Sequence, residues 1–315
     1  MWRLNLEIKN QDNFINLIKI AMYSLFIGYL GYSFAGVILI FYPMLFMEST
    51  IKNGLIPTIL AMLATSVILG LLINLLAGLA LFFVFAPMVL IFHYCVESKK
   101  SYMFTLILMV IVLAVSFTSY QMGITRIESL DLEAFIDNVV EMQVENLDSN
   151  LSNLELSRYE DNLRMIYEYS IILVPGITLI ILGLTVYLNY VFVGRRLLVQ
   201  GVLINQPPLF SNFQLPRVSI IVFGAFIAAI LLMRYLGLDY YSEIYLNTIA
   251  VFGFIYFVNG LALFSNFLIR LRIPNLGRML VYVTCFMFPP VGIVVAVLGL
   301  LDALIYFRRI SIKRE

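Results

Sequence analysis

Asp302 is the residue whose setting most invites chemistry. It stands in VGIVVAVLGLLDALIYF, an otherwise apolar run, six residues before the pair Arg308 and Arg309. A carboxylate within a bilayer costs several kcal/mol unless it is paired, hydrated or protonated, so an acid placed here marks a functional position by default. Along a helix Tyr306 and Arg309 fall on its face, whereas Arg308 points elsewhere. Arg309 is two turns away, about 10 Å by helical rise. Arg272 or Arg278, from the preceding polar segment, is the better counter-charge. Two readings stand: a pinned ion pair or hydrogen-bonded lock, and a carboxyl group coupled to proton movement or to a partner protein.

The remaining inventory argues against catalysis. His93 in FHYC is the one histidine, so metal sites built on paired histidines are excluded. It reads as an interfacial residue beside Tyr94 or as a proton relay. No serine nucleophile has a histidine base nearby, and GYSFAG at 31–36 misses the nucleophile-elbow spacing. An intramembrane aspartyl protease needs two carboxylates sharing a proton, and Asp302 alone sits clearly within an apolar run. No glycine loop ends in Lys-Ser or Lys-Thr to cradle a nucleotide. Cys95 and Cys285 lie at different depths without metal-ligand neighbours, so neither a disulfide nor a zinc site is expected. The chain reads as non-enzymatic, with no cofactor, no metal and no nucleic acid partner.

Polar and small residues inside the apolar runs carry the other candidate roles. Asn74, Asn189 and Asn259 read as interhelical hydrogen bonds or as the lining of a ligand pocket. Ser24 with Gly28, Ser66 with Gly70, and Ala225 with Ala229 are four apart, the spacing that lets helices approach closely. Those seams serve packing within the chain or docking of a membrane partner.

The elements that must position these residues are transmembrane helices. Of 315 residues 62% are hydrophobic and 12% charged, outside the globular range. The fold class is therefore an all-α, polytopic bundle. A crossing needs about 20 apolar residues, which gives runs near 17–33, 35–47, 55–72, 74–95, 102–122, 169–193, 216–236 and 245–269. The second is short, contains Pro43, and reads as broken or tilted. The first run lacks a small-residue cleavage site and reads as an uncleaved anchor. An inside N-terminus with alternation places Lys52, Lys99, Lys100, Arg195, Arg196, Arg270, Arg272 and Arg278 on the cytoplasmic face, and only Arg126, Arg158, Arg164 and Arg234 outside. The expected location is the bacterial cytoplasmic (inner) membrane, with both termini cytoplasmic.

Three parts follow: an N-terminal bundle over 1–122, an acidic extracytoplasmic helical hairpin over 123–166, and a C-terminal bundle with a basic tail over 167–315. In the hairpin Leu132, Phe135, Ile136, Val139 and Val140 form one apolar helical face. DSNLSN at 148–153 reads as a turn, and Ser157 with Glu160 as a capping box. Near the end Pro289 and Pro290 break the helix, giving half-depth arms over 279–288 and 291–307 that enter and leave on one side. Such a hairpin is expected to pack inside the bundle. The alternative is one kinked crossing with the tail outside.

The run from FSNFQLPRVSIIVFG (210–224), through NGLALF (259–264) and RIPNLGRMLVYV (272–283), to FPPVGIVVAVLGLLDALIYFRR (288–309) resembles the YybS-like family of predicted bacterial membrane proteins. The resemblance covers about 100 residues and singles out Pro216, Arg278, Asp302 and Arg308 without assigned chemistry. A second acid typical of that pattern is replaced here by Tyr306. The N-terminal half is similar in layout to the substrate-binding components of energy-coupling-factor transporters, which implies a small ligand held among the first six helices near the outer face. It is also similar to cell-shape scaffold proteins. The expected function is a transport-related small-molecule-binding component, with a scaffold subunit of an envelope complex as the alternative. Expected partners are membrane lipids, a small-molecule ligand, and a membrane or envelope protein.

Overall fold

The computed structural model describes the backbone of residues 2–125, 132–145 and 153–307, and side chains over 15–124, 136–144 and 156–307. Among the described residues there is no strand. The helices are α1 (Trp2–Ser33), α2 (Tyr42–Asn53), α3 (Leu55–Leu72), α4 (Leu75–Glu97), α5 (Tyr102–Thr125), α6 (Leu132–Glu145), α7 (Asn153–Val199), α8 (Val218–Tyr235), α9 (Tyr241–Arg270), α10 (Asn275–Met287) and α11 (Pro289–Ile305). A 3-10 segment, Gly36–Phe41, precedes α2. Among the described residues seven helices are long and apolar enough to cross a membrane, or eight if α10 and α11 form one broken span.

The chain divides into two compact units. The first comprises Met1–Ser129 and Ile181–Pro207, the second Leu130–Ile180 and Pro208–Glu315. This differs from the three parts read from the sequence. The expected boundary at 166/167 falls inside α7, a continuous helix of 47 residues whose two halves contribute to different units.

In the first unit, Tyr42, Phe46, Met62, Phe92, Met109 and Tyr190 are fully or almost fully buried in one apolar core. Helices α3 and α4 touch at the backbone: a Cβ on Gly78 would lie 2.3 Å from the Ser66 carbonyl oxygen and 2.6 Å from the Gly70 Cα. Side chains also tie helix ends into two faces. At one face Tyr32 and Tyr120 donate to the carbonyls of Ala77 (2.9 Å) and Leu76 (2.7 Å) at the start of α4. At the other, Arg196 and Gln200 donate to Glu48 at 3.1 and 3.0 Å, and Asn205 to the Lys100 carbonyl at 2.9 Å.

The chain must therefore return across the unit between Ser33 and Asn53. The expected element at 35–47 is in fact the 3-10 segment joined to α2. Six residues at about 2.0 Å and twelve at about 1.5 Å give roughly 30 Å, one hydrocarbon thickness. Pro43 starts this helix in its first turn, where its missing N–H breaks no bond.

In the second unit α6 contacts the first half of α7 around Arg164 and Tyr167. Ile136 and Val140 are buried, and Asp137 pairs with Arg164 at 2.6 Å. Of the expected turn at 148–153, residues 148–152 lie outside the described residues and Asn153 already opens α7. Helix α7 starts at Asn153, so Ser157 and Glu160 sit inside it rather than capping it; Leu154, Glu155 and Leu156 are good helix formers and extend the helix toward the N-terminus.

Helix α9 packs most extensively on α11, at two glycines. A Cβ on Gly299 would fall 1.9 Å from the Tyr256 carbonyl oxygen, and one on Gly260 2.0 Å from that of Val295. Helices α10 and α11 meet at 105° about Phe288 (φ −106, ψ 100), with Pro289 and Pro290 opening α11. The break falls where the paired prolines place it. Packing of this bend within the chain does not follow: Met279, Phe286 and Met287 are 64%, 74% and 71% exposed. Both arms are helical up to one residue, so few backbone groups need a protein partner.

Candidate functional site

Two places in the second unit gather polar side chains. The first surrounds Asp302, which is fully buried. Close approach at Gly299 brings α11 onto α9, and the segment 208–217 folds over both. Asn259 links the three: its Nδ2 donates to the Gly299 carbonyl at 2.8 Å, and its Oδ1 accepts from the Leu215 amide at 3.2 Å. Asn259 Nδ2 and Gln214 Nε2 each stand 3.5 Å from Asp302 Oδ2, at the outer limit of hydrogen bonding. Pro216 disfavours the helical region for Leu215, so the stretch 213–216, after a 3-10 turn at Phe210–Asn212, stays non-helical until the chain turns into α8 at Arg217. Tyr306 closes the end of the segment. Its hydroxyl accepts from the Arg217 amide at 3.1 Å, and the Arg217 guanidinium stacks 4.9 Å from its ring centroid.

The expected counter-charges are a correction. Among the described residues neither Arg272 nor Arg278 forms an ion pair with Asp302. Arg272 is exposed in a tight turn at φ 56, and Arg278 donates to Asn275 within its own helix turn. The chain turns sharply after α9, which sets Arg272 at the exposed surface and Arg278 in the first turn of α10. Arg309 and Arg308 lie outside the described residues. Among the described residues the neutral amides of Asn259 and Gln214 line the carboxylate and can hold it in place.

The second place is a cleft of about 750 Å³ between the start of the apolar part of α7, the end of α8 and the start of α9. Glu168 and Tyr169 come from α7, Arg234 from α8, and Tyr241, Ser242 and Tyr245 from α9. The walls hold together through Asn247. Pro175 and Gly176 interrupt the hydrogen-bond ladder of α7. Asn247 of α9 inserts there, donating from Nδ2 to the Ile172 carbonyl at 2.7 Å and accepting from the Gly176 amide at Oδ1 at 2.6 Å. A Cβ on Gly176 would lie 2.7 Å from that Oδ1. One amide side chain therefore splices the helix and fixes α9 against it.

A family model described as "Predicted membrane protein (DUF2232)" matches residues 20–303, from the first span to the residue after Asp302. The chain belongs to this family. No curated protein and no solved structure matches it significantly. The cleft and, apart from Tyr306, the Asp302 cluster of this DUF2232 protein lie inside the matched region.

The other candidate residues fall in different places. Asn189 is buried in the first unit and donates to the carbonyls of Ile40 and Thr185, both at 2.7 Å, tying α7 to the 3-10 segment. Asn74 is exposed and caps α4 by accepting from the Leu76 amide at 3.0 Å, so it is a helix start and not a pocket or seam. His93 Nε2 stands 3.3 Å from Glu97 on the next turn. Gly28 meets Leu69, Ser24 bonds within its own helix to the Ala21 carbonyl, and Ser66 bonds Tyr42 at 3.2 Å. Ala225 and Ala229 are exposed; α8 buries only Ile230 among the described residues, so this spacing marks no seam within the chain. Cys95 and Cys285 are both free and buried. No cluster of His, Cys, Asp or Glu fit for a metal occurs among the described residues.

Sequence reasoning missed Glu48, Gln214 and Asn247. Glu48 is buried and accepts from Lys52, Arg196 and Gln200. Its signal was an acid beyond the expected end of a short apolar run. The signal for Asn247 was the Pro-Gly pair in α7, which demands a partner.

Proposed function

We propose that this chain is a non-enzymatic membrane protein that holds a small molecule in the cleft between α7, α8 and α9, as the binding component of a transport system energised by a partner. The cleft carries the reading: about 750 Å³ lies within the range of ligand sites, and its apolar walls with a few convergent polar groups match their usual make-up. The ligand is placed here and not among the first six helices, because large side chains such as Tyr42, Phe46 and Phe92 fill the core of the first unit. Location in a bacterial cytoplasmic membrane with cytoplasmic termini is supported by the face of the first unit that gathers Lys52, Lys100 and Arg196, through the positive-inside preference.

Native mass spectrometry of the full chain released from lipid nanodiscs tests the binding reading. A retained small molecule lost on Tyr245→Trp is the expected result. A chain carrying none, and indifferent to that substitution, overturns it. The scaffold reading draws on the exposed face of α8 and predicts a stoichiometric protein partner instead.

A further inference from the structure

We infer that the occupant of this cleft is an amphiphile with a headgroup bearing both a phosphate and an amine, its chain lying toward the membrane middle in the groove between α9 and α11. This rests on reading the cleft as a ligand site. Two observations carry it. The first is a second, apolar cleft that lies farther along the same helices. This second cleft, of about 540 Å³, lies mainly between α9 (Ile249, Ala250, Gly253) and α11 (Gly292, Ala296), with Ile180 of α7 and Phe223 of α8 at its edge. Ile249 is one turn beyond Tyr245, about 6 Å, and Phe223 two turns from Ile230, about 10 Å. Ile180 is two turns and a fraction from Ile172, about 12 Å. The walls of the second cleft are apolar apart from the backbone and Tyr256. A water-soluble ligand would leave that groove empty, whereas an acyl or prenyl chain fills it.

The second observation is the charge at the open end. Glu168 and Arg234 line the first cleft from different helices, and neither makes an ion pair or side-chain hydrogen bond among the described residues. The Arg234 guanidinium instead lies 5.9 Å from the Tyr241 ring centroid. A guanidinium presents the fork that binds phosphate oxygens. A carboxylate beside it disfavours a purely anionic headgroup and favours one with an ammonium. The depth agrees: the apolar stretch of α7 begins at Ile171, α8 ends at Tyr235 and α9 starts at Tyr241. Tyrosines at this level form the belt typical of a membrane–water boundary.

The test reconstitutes the full chain in nanodiscs of equal parts phosphatidylethanolamine and phosphatidylglycerol, and measures retained lipid by native mass spectrometry, with free phosphoethanolamine as a separate probe. Phosphatidylethanolamine should be retained preferentially. Glu168→Gln should abolish the preference, and Arg234→Gln should lower retention of both lipids. A Cβ on Gly253 meets nothing within 4 Å, so Gly253→Leu fills the groove without displacing backbone. It should cut retention about tenfold at unchanged melting temperature. If free phosphoethanolamine binds as well as the lipid and Gly253→Leu is silent, the amphiphile falls while the ligand site stands. Equal retention of the two lipids, unmoved by Glu168→Gln, overturns the headgroup assignment. Binding of neither probe removes both readings.

Discussion

The two units are made of similarly apolar helices and close their interiors by different means. The first fills its core with large side chains and seals the remaining hydroxyls against one another, as in Tyr42 with Thr65 and Ser66 or Ser49 with Thr58. In the second, a small core around Leu215, Tyr256 and Ala303 is joined by glycine contacts and by asparagines that reach backbone groups, leaving clefts between helices. Bulk packing yields a largely filled body, with a smaller cleft of about 170 Å³ beside Cys95 and Tyr190. Glycine contacts occur in both, at Gly78 in the first and at Gly260 and Gly299 in the second; large side chains fill the space beside the contact in the first, whereas grooves remain beside it in the second.

The strongest way to break this comparison is Gly299→Leu. A side chain there meets the Tyr256 carbonyl at once, and overpacking against backbone should cost about 3 kcal/mol or more. Hydrogen exchange should speed up across α9 and α11 while α3 and α4 keep their protection; uniform loosening of both units would erase the distinction. Next is Asn247→Ala, which leaves the Gly176 amide and Ile172 carbonyl without the partner that splices them. The expected loss is about 1–3 kcal/mol, read as a lowered melting temperature and faster exchange at the Gly176 amide.

In the first unit Glu48→Gln sharpens the contrast. Its partners Lys52 and Arg196 are 37% and 50% exposed, so screening limits the loss to about 1 kcal/mol. A double-mutant cycle with Arg196→Gln measures the coupling directly. The smallest effect belongs to Ala225→Leu with Ala229→Leu on the exposed face of α8. Unfolding stability should change by less than about 0.5 kcal/mol, and a large loss would mean that this face is packed.

The apolar runs were legible because crossing length and hydropathy act residue by residue. Segments 55–72 and 74–95 coincide closely with α3 and α4 for that reason. What the sequence could not provide is neighbourhood. Ala225 and Ala229 show the same spacing as Ser66 and Gly70, yet only the latter pair meets another helix. Asp302 was legible as a buried acid, but its amide neighbours come from 43 and 88 residues away, and nothing local announces them. Asn74 shows the converse: a polar residue between two apolar runs was given a long-range role when its task is to start the next helix.

The bend at Phe288 has a further meaning in terms of amide supply. A helix start leaves four N–H groups without an intrahelical acceptor, and each would be costly in hydrocarbon. Here the Phe288 amide already donates to the Thr284 carbonyl at 3.1 Å, and the Gly292 amide resumes the ladder by donating to Phe288 at 3.0 Å. Pro289 and Pro290 have no N–H to leave unpaired, so of the whole junction only the Val291 amide needs a partner from outside the helix. The paired prolines let a helix begin nearly dry, away from the water that helix starts normally depend on.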